Sequence, residues 1–478
     1  MTWKSRRVLG LALCLVGGSA LAQGPSNSSP YNPRMGSTLP SIMRVQDTTP
    51  KADVPPSGTI PSVPDAGTPG GMGDGGTPAP GGTSSAPEGL PETNPGEESS
   101  LGPTPLPKVN ILQDWIFGPD NKDAPFIVRG WLESDYTYRS TGPGRNNVAP
   151  VMNRFGDEGL LRQLGLWIYK PLDAKELSWG FNVITINGSD ASFLTPTLGG
   201  WKNTDPRFGS SFTDLNLTAH LPILTVGGVD IKAGRQTTAL GPVGALSWQR
   251  PFASSDYAWY NLEEGRYTGV SATWHVSKQL DWYNGIEIGG WGAFFDDSIH
   301  KNDFISKVFY WLDEDKKKTQ VWATVLTGPT GHFGPGNSTT VEAGLVHNYN
   351  KYVYQVVDFQ AVYSSQPVFG VNGAAAPPGY LERAYDLYTY VGVHLNAIWD
   401  VTTRVEWYKD VDGGGYPGGF GQGKNTYYES TVGLNYHPTK WLEFRPEVRY
   451  DHADNPAFGA QYDKKNQLSA VANVLLKF

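Results

Sequence analysis

From residue 126 to residue 478 the chain alternates apolar and polar side chains with a period of two. In the first stretch Phe126, Val128, Gly130, Leu132, Ser134, Tyr136 and Tyr138 share one face, and Arg129, Glu133, Asp135 and Thr137 share the other. Successive side chains of a β-strand point to opposite sides, so such a stretch separates an apolar medium from water. Near the C-terminus Leu442, Phe444, Pro446, Val448 and Tyr450 oppose Glu443, Arg445, Glu447, Arg449 and Asp451. Leu215, Leu217, Ala219 and Leu221 oppose Asp214, Asn216, Thr218 and His220; Val401, Thr403, Val405 and Trp407 oppose Thr402, Arg404, Glu406 and Tyr408.

Sixteen such segments can be placed, from 126–138 to 466–478, with 304–311 the weakest. Most have the roughly 9–11 residues that a tilted strand needs to cross a bilayer. Their connections sort by parity. Odd-numbered ones are long, as in 139–159, 188–211 and 237–265, and even-numbered ones are short, as in 172–177, 224–227 and 349–351. A transmembrane barrel has long loops outside, short periplasmic turns and an even strand number, whereas a soluble sandwich has no reason to sort its loops this way. The expected fold is all-β: a closed antiparallel transmembrane β-barrel of about 16 strands, with 14 to 18 compatible with the pattern.

Composition agrees. The chain has 24 Tyr and 16 Trp but only 18% charged residues. Its body contains no apolar run of the roughly 18 residues that a spanning helix requires. A net charge of −8 argues against nucleic acid as a partner, which needs a concentrated basic surface, and none is expected. Lys4, Arg6 and Arg7, the apolar stretch 8–16 and the motif Ala20-Leu21-Ala22 read as a signal peptide over 1–22, cut between Ala22 and Gln23. The single cysteine, Cys14, lies inside it, with Leu13 where a lipoprotein signal wants a small residue. Residues 23–108 are rich in Pro, Gly, Ser and Thr and poor in large apolar side chains, so they are expected to be disordered. A lead-in over 109–124 then precedes the barrel at 125–478.

Four short motifs, in this order and spacing, carry a resemblance: Gly130-Trp131, Ile231-Lys232-Ala233-Gly234-Arg235, Tyr267-Thr268-Gly269-Val270, and Arg445-Pro446-Glu447-Val448-Arg449-Tyr450-Asp451. Over roughly 125–478 the chain resembles the OmpL-like β-barrel porin family, β-barrel porin-2. The resemblance implies an outer-membrane porin, a water-filled channel for passive diffusion of small hydrophilic solutes or ions.

On that reading the inward faces supply pore-lining candidates: Arg129, Glu133, Asp135, Asp214, Asn216, His220, Lys232, Arg404, Glu406, Glu429, Arg445, Glu447 and Arg449. Opposite charges paired across strands would also stabilise the wall without any role in transport. The longest connection, 237–265, is the third outside loop, which by analogy with sixteen-stranded porins folds inward as a constriction. It carries Arg250, Asp256, Glu263 and Glu264, expected to oppose Arg129, Lys232, Arg445 or Arg449 across the lumen and to tune ion preference. The structural reading is a surface loop capped by Trp248, Phe252, Tyr257, Trp259 and Tyr260.

Inward-facing Tyr388, Tyr390 and Tyr408 suggest an alternative, a carbohydrate-selective porin with an aromatic slide. Another alternative is a structural envelope anchor with a closed barrel. Phe478, aromatic and last on an amphipathic strand, resembles the signal read by the barrel assembly machinery. Outer-membrane lipid and, by fold analogy, a homotrimer are the other expected partners. Gly418 to Lys424 spells G-x-x-x-x-G-K, but Asn425 stands where a phosphate loop needs Ser or Thr, and the stretch joins two strands. Eight scattered histidines form no HExxH motif, so no catalytic set, metal site or cofactor is expected.

Overall fold

The computed structural model describes residues 111–118, 124–142, 153, 155–192, 207–263, 266–288, 302–314, 318–328, 337–364, 382–412, 424–459 and 462–478. The expected signal peptide with Ala22 and Gln23, the Pro/Gly-rich segment, Glu264 and the glycine-rich stretch 418–423 lie outside the described residues.

All sixteen expected strands form: β1 (Ile127–Arg139), β2 (Glu158–Lys170), β3 (Ser178–Gly188), β4 (Gly209–Leu221), β5 (Val229–Thr237), β6 (Arg266–His275), β7 (Leu280–Ile288), β8 (Asn302–Trp311), β9 (Thr319–Gly328), β10 (Ser338–Asn348), β11 (Val353–Ser364), β12 (Glu382–His394), β13 (Trp399–Asp410), β14 (Asn425–Thr439), β15, and β16 (Asn466–Lys477). β15 comes in two pieces, Leu442–Phe444 and Glu447–Ala453, parted at Pro446 because proline has no N–H to give the ladder. The Pro446 carbonyl still accepts from the Leu434 amide at 3.0 Å, so the strand keeps its course.

Every strand pairs antiparallel with the next, and β16 returns to β1 in the register Trp131↔Lys477 to Arg139↔Ser469. The amide of Gly130 donates to the Phe478 carbonyl at 2.6 Å, and the amide of Phe478 donates to the Gly130 carbonyl at 2.8 Å. The sheet is thus a ring without an edge, which hydrocarbon demands of any spanning sheet. The weakly alternating segment is β8, paired along its whole length with β7 and β9. Turn chemistry sits at the short connections. Asn350 Oδ1 accepts from the amides of Tyr352 and Val353, and Asn396 Oδ1 accepts from the amide of Ile398.

Burial is inverted relative to a water-soluble protein. Apolar outward side chains are open, as with Leu217 at 66% exposed, Val405 at 53% and Ile286 at 50%, while Glu133, Arg404 and Glu429 are at 0–2%. Such an outer face is stable only against lipid, where each large apolar side chain gains about 1.5–3 kcal/mol by leaving water.

The lead-in holds one further element, the helix α1 (Ile111–Phe117). It lies on the outer wall at the closure, with Leu112 beside Gly130 and the Phe478 ring. Gln113 is buried and ties it down: its Oε1 accepts from the Val128 amide at 2.7 Å and its Nε2 donates to the Phe126 carbonyl at 3.2 Å.

Candidate functional site

The connection between β5 and β6 enters the barrel and crosses the lumen, here called the inner loop. Its described residues run from 238 to 263 and contain a single 3₁₀ turn (Ser247–Gln249) and a short helix, α2 (Tyr257–Asn261). Asp256 caps α2 by accepting from the Trp259 amide at 2.6 Å. An irregular backbone at membrane depth has polar groups to satisfy, and the wall supplies the partners.

Arg445 is the most heavily used of these partners. It donates to the carbonyls of Ser247 (2.8 Å) and Arg250 (2.9 Å), to Glu133 (2.7 Å) and to Asn473 (2.9 Å). Arg250 of the loop reaches the other oxygen of Glu133 at 3.1 Å and Asp190 at 3.4 Å. Glu447 accepts from the amides of Ala253 (2.8 Å) and Ser254 (3.1 Å). Glu406 accepts from the amides of Tyr257 and Ala258, N–H groups at the start of α2 that have no acceptor within the helix. Arg404 bonds the carbonyls of Ser254 and Ser255 at 3.2 Å while holding Glu429 at 2.9 Å, and Arg449 bonds the Ser255 carbonyl.

Aromatic packing locks the same segment. Trp248 stacks on Trp167 (5.8 Å), Phe252 lies beside Tyr390 (6.0 Å), and Tyr257 stacks on Tyr408 (5.9 Å). The Trp131 ring covers Gly165, where a Cβ would collide with it, and its Nε1 donates to Gln163 at 3.0 Å. Gln163 in turn accepts from the Ser247 amide at 3.1 Å and donates to the Ala245 carbonyl at 2.8 Å.

The structure therefore gathers Glu133, Arg404, Glu406, Glu429, Arg445, Glu447 and Arg449 around the inner loop. Asp135 is close by, held by Arg162 and by Asn153 at 2.6 Å, and Arg129 lies over the rings of Trp167 and Tyr169. Asp214, Asn216, His220 and Lys232 belong to a separate stretch on β4 and β5. There Asp214 meets Thr237 (3.2 Å), Asn216 donates to the Arg235 carbonyl (2.9 Å), His220 pairs with Asp230 (2.6 Å), and Lys232 is half-buried.

The pairing across the lumen differs from the simple opposition of loop acids to wall bases. Asp256 accepts from the Tyr390 hydroxyl at 2.7 Å and Glu263 from Gln360 at 2.7 Å, whereas Arg445 and Arg449 hold loop carbonyls. Burial and the nearby Asp256 carboxylate push the Glu263 carboxyl well above the usual carboxylate range.

Sequence reasoning did not single out Arg162, Asp190, Lys307, Glu342, Asp358 or Asp386. Lys307 bonds Glu342 at 3.1 Å and the Ala239 carbonyl at 2.8 Å, pinning the start of the loop. Asp358, between Val357 and Phe359, follows the alternation of its strand, which is the signal that places it inside; Lys307, between Ser306 and Val308, has only parity with more distant neighbours.

The family described as Putative beta-barrel porin-2, OmpL-like, matches residues 125–478 of the chain. No curated protein matches it. Among solved structures, the outer membrane channel DcaP of Acinetobacter baumannii is similar at 13% identity and a TM-score of 0.49, over 74% of this chain and 97% of that one. The anion-selective porin from Comamonas acidovorans gives 9% and 0.47, over 74% and 99%. OmpT of Vibrio cholerae gives 7% and 0.44, over 74% and 97%.

Proposed function

The chain belongs to the OmpL-like β-barrel porin-2 family and is an outer-membrane porin, and from that premise we propose a narrow passive channel whose bore is set by the inner loop. The observation that carries this reading is the set of bonds from Arg404, Glu406, Arg445 and Glu447 to loop backbone, which fixes the loop across the lumen. Small hydrophilic solutes or ions then pass beside the loop, and Arg250, Asp256 and Glu263 are its constriction residues. Single-channel recording of the protein in planar bilayers tests this: small, well-defined conductance steps are expected.

A second reading, a structural envelope anchor, is favoured by the same packing, since an inner loop fixed at so many points also seals a barrel. Absence of conductance steps selects it. The carbohydrate reading loses its support, because Tyr408 and Tyr390 are covered by Tyr257 and Phe252 of the loop instead of lying open as a sugar slide.

We further propose association of part of the apolar outer face into a homotrimer, lipid contact over the rest of it, and recognition of Phe478 by the assembly machinery. Phe478→Ala keeps the backbone pairing with Gly130 and removes the ring that packs there. The amount of heat-modifiable, folded barrel in outer membranes is expected to fall severalfold; an unchanged amount rejects the signal role. Native mass spectrometry reads the number of subunits.

A further inference from the structure

Lipid offers no hydrogen bonds, so a carboxamide on the outer wall needs a partner from protein. Asn187 and Gln355 have one: Asn187 Oδ1 accepts from the Ser210 hydroxyl at 2.7 Å, and Gln355 Nε2 donates to Thr389 at 3.0 Å. Asn284 does not. It points outward from the middle of β7, between the exposed Trp282 and Ile286 on the same face. Its side chain has no hydrogen-bond partner among the described residues. The hydroxyl of Ser306, the next residue along the row, already accepts from Trp282 Nε1 at 3.0 Å. Trp282 lies beside Trp274 of β6 (6.4 Å) at the short-turn end, where an aromatic girdle marks the membrane boundary. Asn284 is one outward step further in, about 6–7 Å along the strand.

The wall around it is shallow. The strand register sets Ala219, Ile231, Ala272, Asn284 and Ser306 in one row across β4–β8, and Leu217, Ala233 and Val270 in the next. Small side chains let two walls approach closely, and association within lipid rests on such packing and on hydrogen bonds. A second anomaly lies at the foot of the same sector. The β4–β5 turn, 222–228, is alone among the short connections in carrying no charged residue, Asn or Asp. Leu224 and Val226 there are 72% and 79% exposed, and Leu224 takes a φ of 76°, a conformation that favours glycine. Such open apolar groups mark contact sites. The Gly227 amide donates to the His275 carbonyl at 3.0 Å and holds the turn against β6. The seam between β1 and β16, by contrast, is already covered by α1.

We propose that copies of this chain meet through the outer wall of β5–β7, with Asn284 at the centre of the contact and the β4–β5 turn at its periplasmic edge. The occupant is a second copy because a carboxamide both donates and accepts. The same residue on each neighbour therefore completes it: every Nδ2 donates to the next Oδ1, and three close a ring about the axis. This contact names the surface for the homotrimer proposed above and rests on that reading.

The test uses the full-length protein in outer membranes, with heat-modifiable folding on gels checked for each variant. Asn284→Cys decides the surface. On mild oxidation about half or more of the folded protein is expected to run as a disulfide-linked dimer, which requires the two Cα atoms to lie within about 7 Å. Ser430→Cys, outward on β14, and the wild type are expected to remain uncrosslinked. Little cross-linking at 284, or as much at 430, overturns the surface. Asn284→Leu, an apolar side chain suited to the lipid face, decides the hydrogen bond. Native mass spectrometry is expected to show its trimer fraction falling about threefold or more; an unchanged fraction overturns the carboxamide ring. If Asn284→Leu does not fold, Asn284→Ala reads the same fraction. A wholly monomeric wild type removes the homotrimer and this contact together. A trimeric wild type without the disulfide keeps the homotrimer and removes this contact alone.

Discussion

Arg445→Ala is expected to lower the stability of the barrel by about 3–5 kcal/mol, the usual penalty for removing one partner of a buried ion pair, and to raise its conductance. The side chain is 1% exposed and closes four contacts at once: two loop carbonyls, Glu133 and Asn473. Without it, Glu133 keeps Arg250 and Asn473, but the carbonyls of Ser247 and Arg250 lose this donor. The middle of the inner loop is then released. Arg445→Lys is the informative control, because a point ammonium retains the charge but not the planar fork that reaches all four acceptors. It should keep much of the stability and still loosen the loop. Thermal unfolding followed by gel mobility, with conductance on the same preparation, checks both halves. Unchanged stability in the alanine variant sinks the argument.

The second large effect is expected from excising residues 242–262 and joining the ends with a short Gly-Ser linker. The wall closes through strand pairing alone, from β1↔β2 round to β16↔β1, and none of its ladders uses these residues. The barrel is therefore expected to survive, with Glu406, Glu447, Arg404 and Arg445 facing water in place of loop backbone. Single-channel conductance should rise severalfold and its open level become noisier. If the shortened barrel conducts no better than the full chain, the inner loop does not set the bore.

Much of this architecture was legible in the sequence, for a physical reason. A strand between lipid and a polar lumen must alternate strictly, so β1, β4, β13 and β15 announced both their position and their facing. Loop parity then gave the topology. The interior was harder to read. Alternation says that Glu406 and Arg445 point inward, but not that their partners are the amides of Tyr257 and Ala258 or the carbonyls of Ser247 and Arg250. Those contacts depend on how one aperiodic loop folds, and they join residues up to 198 positions apart. The same limit hid the partners of Asp358 and Lys307, which lie on other strands. Helix α1 was missed because seven residues are too few for a helical period to show against a chain dominated by period two.

The ring closure has a consequence for how such a molecule can be made. Glu133 and Asn473, hydrogen-bonded at 2.9 Å, are 340 positions apart, so the seam between β1 and β16 joins the two ends of the barrel sequence. Any intermediate lacking β16 presents two raw margins, each a template for a stray strand. Contacts of such long range are also slow to form, since the whole intervening chain must be ordered first. Biogenesis is thus forced to be late and all-or-none: a nascent barrel has to be sheltered until its last hairpin arrives, and a chain cut short by one strand is a seed for aggregation instead of a smaller pore.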